Sequence, residues 1–247
     1  MILGKLRRGR VIVDDASDAS TLRNKGYIGK NIGERLSLDI ATSADLVRRR
    51  KMQVVKGGYP MTLDQLEEAM SPEERKMAVA YHFMRAKGMK PLIRNGRMSA
   101  SGRRVEIYQD DEMVHFDENI SRPFLIAIVD SECSCLVYSV SRLRMGKRES
   151  GRCKVVSNMS ITSYLSRLLN EEGMTLASGL KFGADFRIYE GKSSHAKYLM
   201  NVGAESLARD IVGRVRIAQS VRKSFIQAIF HKGRNVFTFL EIRWIRL

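Results

Sequence analysis

Tyr189 and His195 are the residues whose types and spacing point most directly to chemistry. They flank a short run of polar residues, Glu190 to Ser194, in a segment rich in cations. A Tyr and a His so placed can move protons on a phosphodiester. Metal-free cleavage of RNA needs a base for the ribose 2′-OH, an acid for the leaving 5′ oxygen, and a cation against charge growing on the phosphate. Tyr189, His195 and Lys223 could take these parts in that order. A free tyrosine titrates near pH ~10, so a tyrosine base needs neighbouring positive charge. Lys223, Arg187 and Arg222 could supply it. Taken alone, Tyr189 and His195 also read as two half-exposed residues at a hairpin.

The elements that must position these groups follow from periodicity. Phe186 and Ile188 alternate with Arg187 and Tyr189, the pattern of a half-buried strand, and Ala196 to Val202 reads as its return strand. Ahead of them, Ile161, Tyr164, Leu165, Leu168 and Leu169 form the apolar stripe of a helix that Ser160 starts and Gly173 stops. Behind them, Glu205 to Arg222 reads as a long helix with Leu207, Ile211, Val215 and Ala218 on one face. It delivers Lys223 to a strand Phe225 to Phe230, followed by the turn His231 to Asn235 and a strand Val236 to Ile245.

The region before this unit resembles it. Gly102-x-x-Val105-x-Ile107-Tyr108 parallels Gly183-x-x-Phe186-x-Ile188-Tyr189, and Phe124-x-x-Ala127-Ile128-Val129 parallels Phe225-x-x-Ala228-Ile229-Phe230. The ordered series points to a duplication. The earlier copy keeps Tyr108 and His115 but lacks the long helix, and has Arg122-Pro123 where the later copy has Lys223; it is expected to be inactive. Its helix starts at Ser71-Pro72-Glu73-Glu74 and ends before Gly88. A loop rich in Gly and Ser precedes Val105 to Tyr108, an acidic, exposed stretch runs from Asp110 to Glu118, and Asp130-Ser131-Glu132 turns between two strands. Further forward, Val11 to Val13 reads as a strand. Ser17 and Ser43 read as helix caps, and Thr62 with Gln65 as a capping box. The divisions expected are a small N-terminal α+β module over 1–71, a degenerate unit over 72–145, a linker over 146–157 and a catalytic unit over 158–247. The fold class is mixed, α+β with α/β.

The 247 residues carry 43 Lys and Arg against 27 Asp and Glu, a formal charge of +16, which selects a polyanionic partner, nucleic acid before membrane. From residue 154 onward the count is 15 against 7, so the C-terminal part is the more densely basic. Hydrophobic residues make up 44%, enough for a packed core. Three cysteines, Cys133, Cys135 and Cys153, offer neither a disulfide framework nor a zinc pattern and are expected to be reduced and buried. No secretory h-region and no membrane-length apolar run is apparent, so a soluble cytoplasmic protein is expected.

Gly179-Leu-Lys-Phe-Gly-Ala-Asp-Phe-Arg-Ile-Tyr189, then His195-Ala-Lys-Tyr, then Arg216-Ile-Ala-Gln-Ser-Val-Arg-Lys223 resemble the archaeal tRNA-splicing endonucleases, and Gly26-Tyr27-Ile28-Gly29 resembles that family's N-terminal module. The resemblance implies a catalytic triad of Tyr189, His195 and Lys223 acting without metal or other cofactor. The substrate would be precursor tRNA at the intron's bulge-helix-bulge, giving 2′,3′-cyclic phosphate and 5′-hydroxyl ends. It implies a tandem-unit homodimer, in which an acidic turn carrying Asp130 and Glu132 docks on a basic face of a catalytic unit. It also implies two arginines that hold a bulged base: Arg216 with Arg243, or Arg246 in place of Arg243. The catalytic unit would share the restriction-endonuclease-like α/β fold. Two rivals stay open. One is a metal-dependent nuclease using Asp185, Glu190 and Lys192 in a D…E-x-K pattern; the other is a non-catalytic RNA-binding or architectural subunit.

Overall fold

A computed structural model describes residues 1–27, 29–117, 120–145 and 160–246. The chain forms two compact units: Met1–Gln109 with Ala127–Cys135, and Asp110–Ile126 with Leu136–Arg246. The expected linker, 146–157, and Cys153 lie outside the described residues.

The first unit opens with a six-stranded sheet and three helices. In chain order these are β1 Ile2–Arg7, β2 Arg10–Val13, α1 Ala16–Asn24, β3 Lys30–Ile32, β4 Arg35–Asp39, α2 Ile40–Arg48, β5 Met52–Lys56, β6 Tyr59–Pro60 and α3 Leu63–Glu68. The strand order is β3-β4-β2-β1-β5-β6. Two of the expected caps move. Asp15, not Ser17, starts α1 by accepting from the Asp18 N–H at 2.8 Å. Asp39, not Ser43, precedes α2, and the buried Ser43 hydroxyl instead donates to the Asp39 carbonyl. In the Tyr27-Ile28-Gly29 motif, the buried Tyr27 hydroxyl donates to Asp45, and Gly29 packs so closely on β4 that an added Cβ would lie 2.3 Å from the Ser37 carbonyl oxygen.

Helix α4, Pro72–Ala86, packs on α2 in the same unit, and β7 Leu92–Arg94, β8 Arg97–Ala100 and β9 Arg103–Gln109 follow as a meander. The start of α4 is dictated locally. Ser71 Oγ accepts from the Glu74 N–H, the Glu74 carboxylate accepts from the Ser71 N–H, and Pro72 occupies the first turn. Ser71→Ala should therefore cost about 1 kcal/mol, a fall of about 2–4 °C in the melting midpoint. Calorimetry showing an unchanged midpoint would remove the cap from the account.

The second unit contains β10 Met113–His115, β12 Cys135–Leu143, α5 Ile161–Glu171, β13 Met174–Ser178, a 3₁₀ turn Leu180–Phe182, β14 Phe186–Glu190, β15 Tyr198–Val202, β16 Glu205–Leu207, α6 Ala208–Ser220, β17 Ser224–His231 and β18 Val236–Trp244. The division between units falls within β11, Phe124–Val129, which is buried at every position. The sheet order in this unit is β13-β14-β15-β17-β18-β12, antiparallel except for the parallel pair β15–β17 that α6 connects. Helix α5 lays Tyr164, Leu165, Leu168 and Leu169 on Ile188, Met200, Ile226, Phe237 and Phe239. Helix α6 packs on β17 and β18 with Ile211, Val215 and Ala218 buried.

The helix expected from Glu205 begins at Ala208 instead. Glu205–Leu207 is extended and pairs with Met113–His115, and the first helical N–H groups, of Ala208 and Arg209, donate to the carbonyls of Glu112 and Asp110. Backbone carbonyls, not a side chain, satisfy these N-terminal donors. The described part of the expected acidic loop, 110–117, is accordingly anchored, with Val114 and Phe116 buried while Asp111 and Asp117 stay exposed. Cys133 is exposed, against expectation, because it occupies a left-handed turn position (φ 59°). Cys135 is buried, and burial pushes its thiol up to about 12. Among the described residues no helix is long and apolar enough to cross a membrane.

Candidate active site

Tyr189, His195 and Lys223 lie at one end of three neighbouring strands. Tyr189 is next to last in β14, His195 lies in the loop that enters β15, and Lys223 immediately precedes β17. Adjacent strands are about 4.8 Å apart, so β14, β15 and β17 hold the three groups within roughly 10 Å at the backbone. The side chains of Tyr and Lys are long enough to close that gap around one phosphodiester.

Each position has a local cause. Alternation along β14 puts Ile188 into the core beneath α5 and Tyr189 on the opposite face, with Arg187. The Arg187 guanidinium lies 5.9 Å from the Tyr189 ring and 5.9 Å from that of Phe182, and its Nε donates to the Ser178 carbonyl. The expected cation beside the tyrosine is present. The His195 loop is pinned by Ser193, whose Oγ accepts from the His195 N–H and donates to the His195 carbonyl. The Gly191 N–H fastens the same loop to the Gly173 carbonyl at the end of α5. The imidazole itself is exposed.

Lys223 is placed by the end of α6. Arg222 takes the left-handed conformation (φ 56°), its N–H bonds the Gln219 carbonyl, and the Lys223 N–H bonds that of Ala218. This Schellman closure turns the chain from the helix into β17. The Lys223 ammonium then donates to the carbonyl of Ala196 at 2.8 Å, and the Ser224 N–H to that of Lys197. Lys223 is thereby tied to the residue that follows His195.

Ser193 and the Glu190–Lys197 pair were not singled out by sequence, although their flanking of the turn was the available signal. Lys197 Nζ reaches both Glu190 carboxylate oxygens, at 3.0 and 2.8 Å, and the Tyr198 hydroxyl donates to one of them. The hydrogen bond from Lys197 holds the Glu190 carboxyl below the usual range, and the same bond raises Lys197. The carboxylate nearest Tyr189 in sequence is thus neutralised by its own partner.

Those contacts also decide how Asp185 and Glu190 stand to each other. They lie at opposite ends of β14, roughly 16 Å apart at about 3.3 Å per residue, and the Asp185 carboxylate accepts from the Val202 N–H. The D…E-x-K series Asp185, Glu190 and Lys192 therefore does not converge on one cation position.

Arg216, on α6, and Trp244 line one shallow depression with Leu136, Tyr138, Val215 and Gln219. Trp244 therefore faces α6, and the period of β18 turns Arg243 to the other face, where it pairs with Glu241 at 2.7 Å. The structure does not bring Arg243 to Arg216. Arg246 lies just past the end of β18, with its guanidinium over the Trp244 ring at 5.4 Å. At the acidic turn, Asp130 Oδ1 accepts from the Glu132 and Ser134 N–H groups, leaving the Glu132 side chain exposed. In the equivalent basic turn, His231 is buried against Thr238, so Lys232 and Arg234 carry the exposed charge. In the earlier copy, the Tyr108 hydroxyl donates to Glu106, and His115 pairs with Glu205.

Comparison with known proteins follows the same arrangement. The family model described as "tRNA intron endonuclease, N-terminal domain" matches residues 2–67, and "tRNA intron endonuclease, catalytic C-terminal domain" matches 163–238, which contains Tyr189, His195 and Lys223. The tRNA-splicing endonuclease of Thermococcus gammatolerans is 40% identical over 82 residues, covering 32% of this chain and 48% of the relative. That of Pyrococcus abyssi is 31% identical over 106 residues, 42% of this chain and 58% of the relative. That of Methanococcus vannielii is 43% identical over 74 residues, 28% and 42%. The chain spans about half the length of the relatives it matches. With both domains matched, in chain order and over more than half of its length, the chain belongs to the tRNA intron endonuclease family.

Proposed function

We propose that the protein is a cytoplasmic tRNA-splicing endonuclease, a tRNA-intron lyase that cleaves precursor tRNA at the intron's bulge-helix-bulge. The observation that carries this reading is the bond from Lys223 to the Ala196 carbonyl, which gathers Lys223 and the His195 loop at the end of the strand bearing Tyr189. Tyr189, as tyrosinate beside Arg187, takes the proton of the ribose 2′-OH. The 2′ oxygen forms a bond to phosphorus while the bond from phosphorus to the 5′ oxygen breaks. His195, as imidazolium, gives its proton to that departing oxygen. Lys223 offsets the charge on the non-bridging oxygens. Atoms and protons balance with no added water or metal, and the products carry a 2′,3′-cyclic phosphate and a 5′-hydroxyl.

Arg216 with Arg246, rather than Arg243, forms the clamp for a bulged base; Trp244 beneath Arg246 supports that pairing. The catalytic unit, 158–247, is of the restriction-endonuclease-like type. It follows an N-terminal module over 1–71, a degenerate unit over 72–145 and a linker over 146–157. Two chains associate as a homodimer, with the turn of Asp130 and Glu132 docking on the basic face of a catalytic unit. The test is incubation of the purified protein with a bulge-helix-bulge RNA in EDTA, followed by end-group analysis. Cyclic phosphate and 5′-hydroxyl ends are expected. A 3′-hydroxyl product, or cleavage abolished by EDTA, would refute the mechanism.

A further inference from the structure

The β7–β8 hairpin holds two arginines where packing alone gives no reason for them. Its turn, Arg94-Asn95-Gly96-Arg97, has left-handed backbone at both central residues (φ 50° and 70°), the two-residue turn for which Asn-Gly is suited. Arg94 and Arg97 are therefore directly opposite across the ladder. Like charges in that relation are destabilising. Both side chains are exposed, and neither makes an ion pair with another described residue. Arg94 and Asn95 also form one wall of a groove that Arg10, Lys30 and Asp39 line from the adjoining sheet. The one carboxylate among the described residues lining the groove, Asp39, is already engaged by Arg10 at 3.0 Å, and burial raises it above the ordinary carboxylate range. Arg10 is held in turn by the Ser37 hydroxyl and carbonyl. Lys30 is exposed and makes no ion pair among the described residues. The groove thus presents Lys30 and Arg94, with Arg97 beside them, without a pairing anion among the described residues.

We propose that this groove is a second RNA-contact surface, in which Arg94, Arg97 and Lys30 bind phosphates of the substrate backbone. The proposal rests on the reading of the protein as an RNA-cleaving enzyme and extends it to the first unit. Backbone phosphates suit the site because no aromatic ring stands among the described residues that line the groove, so the contact adds affinity without sequence preference. An arginine fork can bond a phosphate bidentately, which a single ammonium group cannot do in that geometry.

The test uses the full chain carrying Arg94→Gln and Arg97→Gln, with binding of an intron-containing precursor tRNA transcript measured between 50 and 200 mM salt. The expected result is an affinity about 10-fold weaker, with a slope of log affinity against log salt that is shallower by about 1–2. Single-turnover cleavage at saturating RNA should stay within about twofold of wild type. The melting temperature should hold or rise, since a like-charged pair is removed. Cations on an edge strand can also serve only to prevent sheet-to-sheet association. Unchanged affinity and salt slope, with or without aggregation of the variant, would overturn the proposal in favour of that role. If wild-type protein binds the RNA in this Arg-dependent way but yields no cleavage, the groove stands and the splicing reading falls.

Discussion

His195→Ala is expected to lower the single-turnover cleavage rate by about 10²–10⁴-fold, the range for loss of a positioned general acid, while RNA affinity stays within about threefold. The expectation is clean because the imidazole does no structural work. It is exposed, the hydrogen bonds at this residue run through its backbone, and Ser193 and Gly191 hold the loop without the ring. Stability should change by less than about 0.5 kcal/mol, as for other surface substitutions away from caps and networks. The role can be isolated further with a substrate whose scissile 5′ oxygen is replaced by sulfur. A thiolate leaves without protonation, so this substrate should close most of the gap between variant and wild type. A variant that cleaves the ordinary RNA at the wild-type rate sinks the assignment. A gap that persists undiminished on the sulfur substrate would move His195 from acid to another role.

What the sequence revealed and what it hid follow from how far apart the causes lie. The start of α4 was legible because Ser71, Pro72 and Glu74 complete their own capping box, and α5 because its stripe falls within eleven residues. The alternation of Phe186 to Tyr189 placed the tyrosine on the face away from the core, as observed. The start of α6 was not legible. Its cap consists of the carbonyls of Asp110 and Glu112, about a hundred residues earlier, and backbone carbonyls leave no trace in composition. The β7–β8 hairpin was concealed inside a Gly- and Ser-rich segment that reads as loop. Choosing between Arg243 and Arg246 needed the parity of β18. That strand is buried on both faces from Phe237 to Ile242, so the polar alternation that marks an outward face is missing. The depression that Trp244 shares with Arg216, with Arg246 over the Trp244 ring, is what supports the pairing proposed above.

Lys223→Met is expected to lower the same rate by about 10²–10³-fold, as removal of one donor to a developing oxyanion does. Here the geometry demands a control that His195 does not. The ammonium bonds the Ala196 carbonyl, so its loss removes a positive charge from the phosphate and also a tether from the loop carrying His195. Lys223→Gln separates these effects, since its amide can still donate but carries no charge. If charge on the phosphate is the larger contribution, the Gln variant remains within about tenfold of the Met variant. A Gln variant that recovers most of the activity would instead make Lys223 a positioning residue. An effect confined to the transition state lowers kcat and leaves KM nearly unchanged, whereas a loosened loop that misplaces substrate raises KM as well. Combining Lys223→Met with His195→Ala supplies the last discrimination. Groups that act on one phosphate in a single step lose far less together than the product of their separate losses. The double variant should therefore fall at most about tenfold below the slower single one. Fully multiplicative losses would show that Lys223 and His195 act independently, and the bond at Ala196 would then have no part in catalysis.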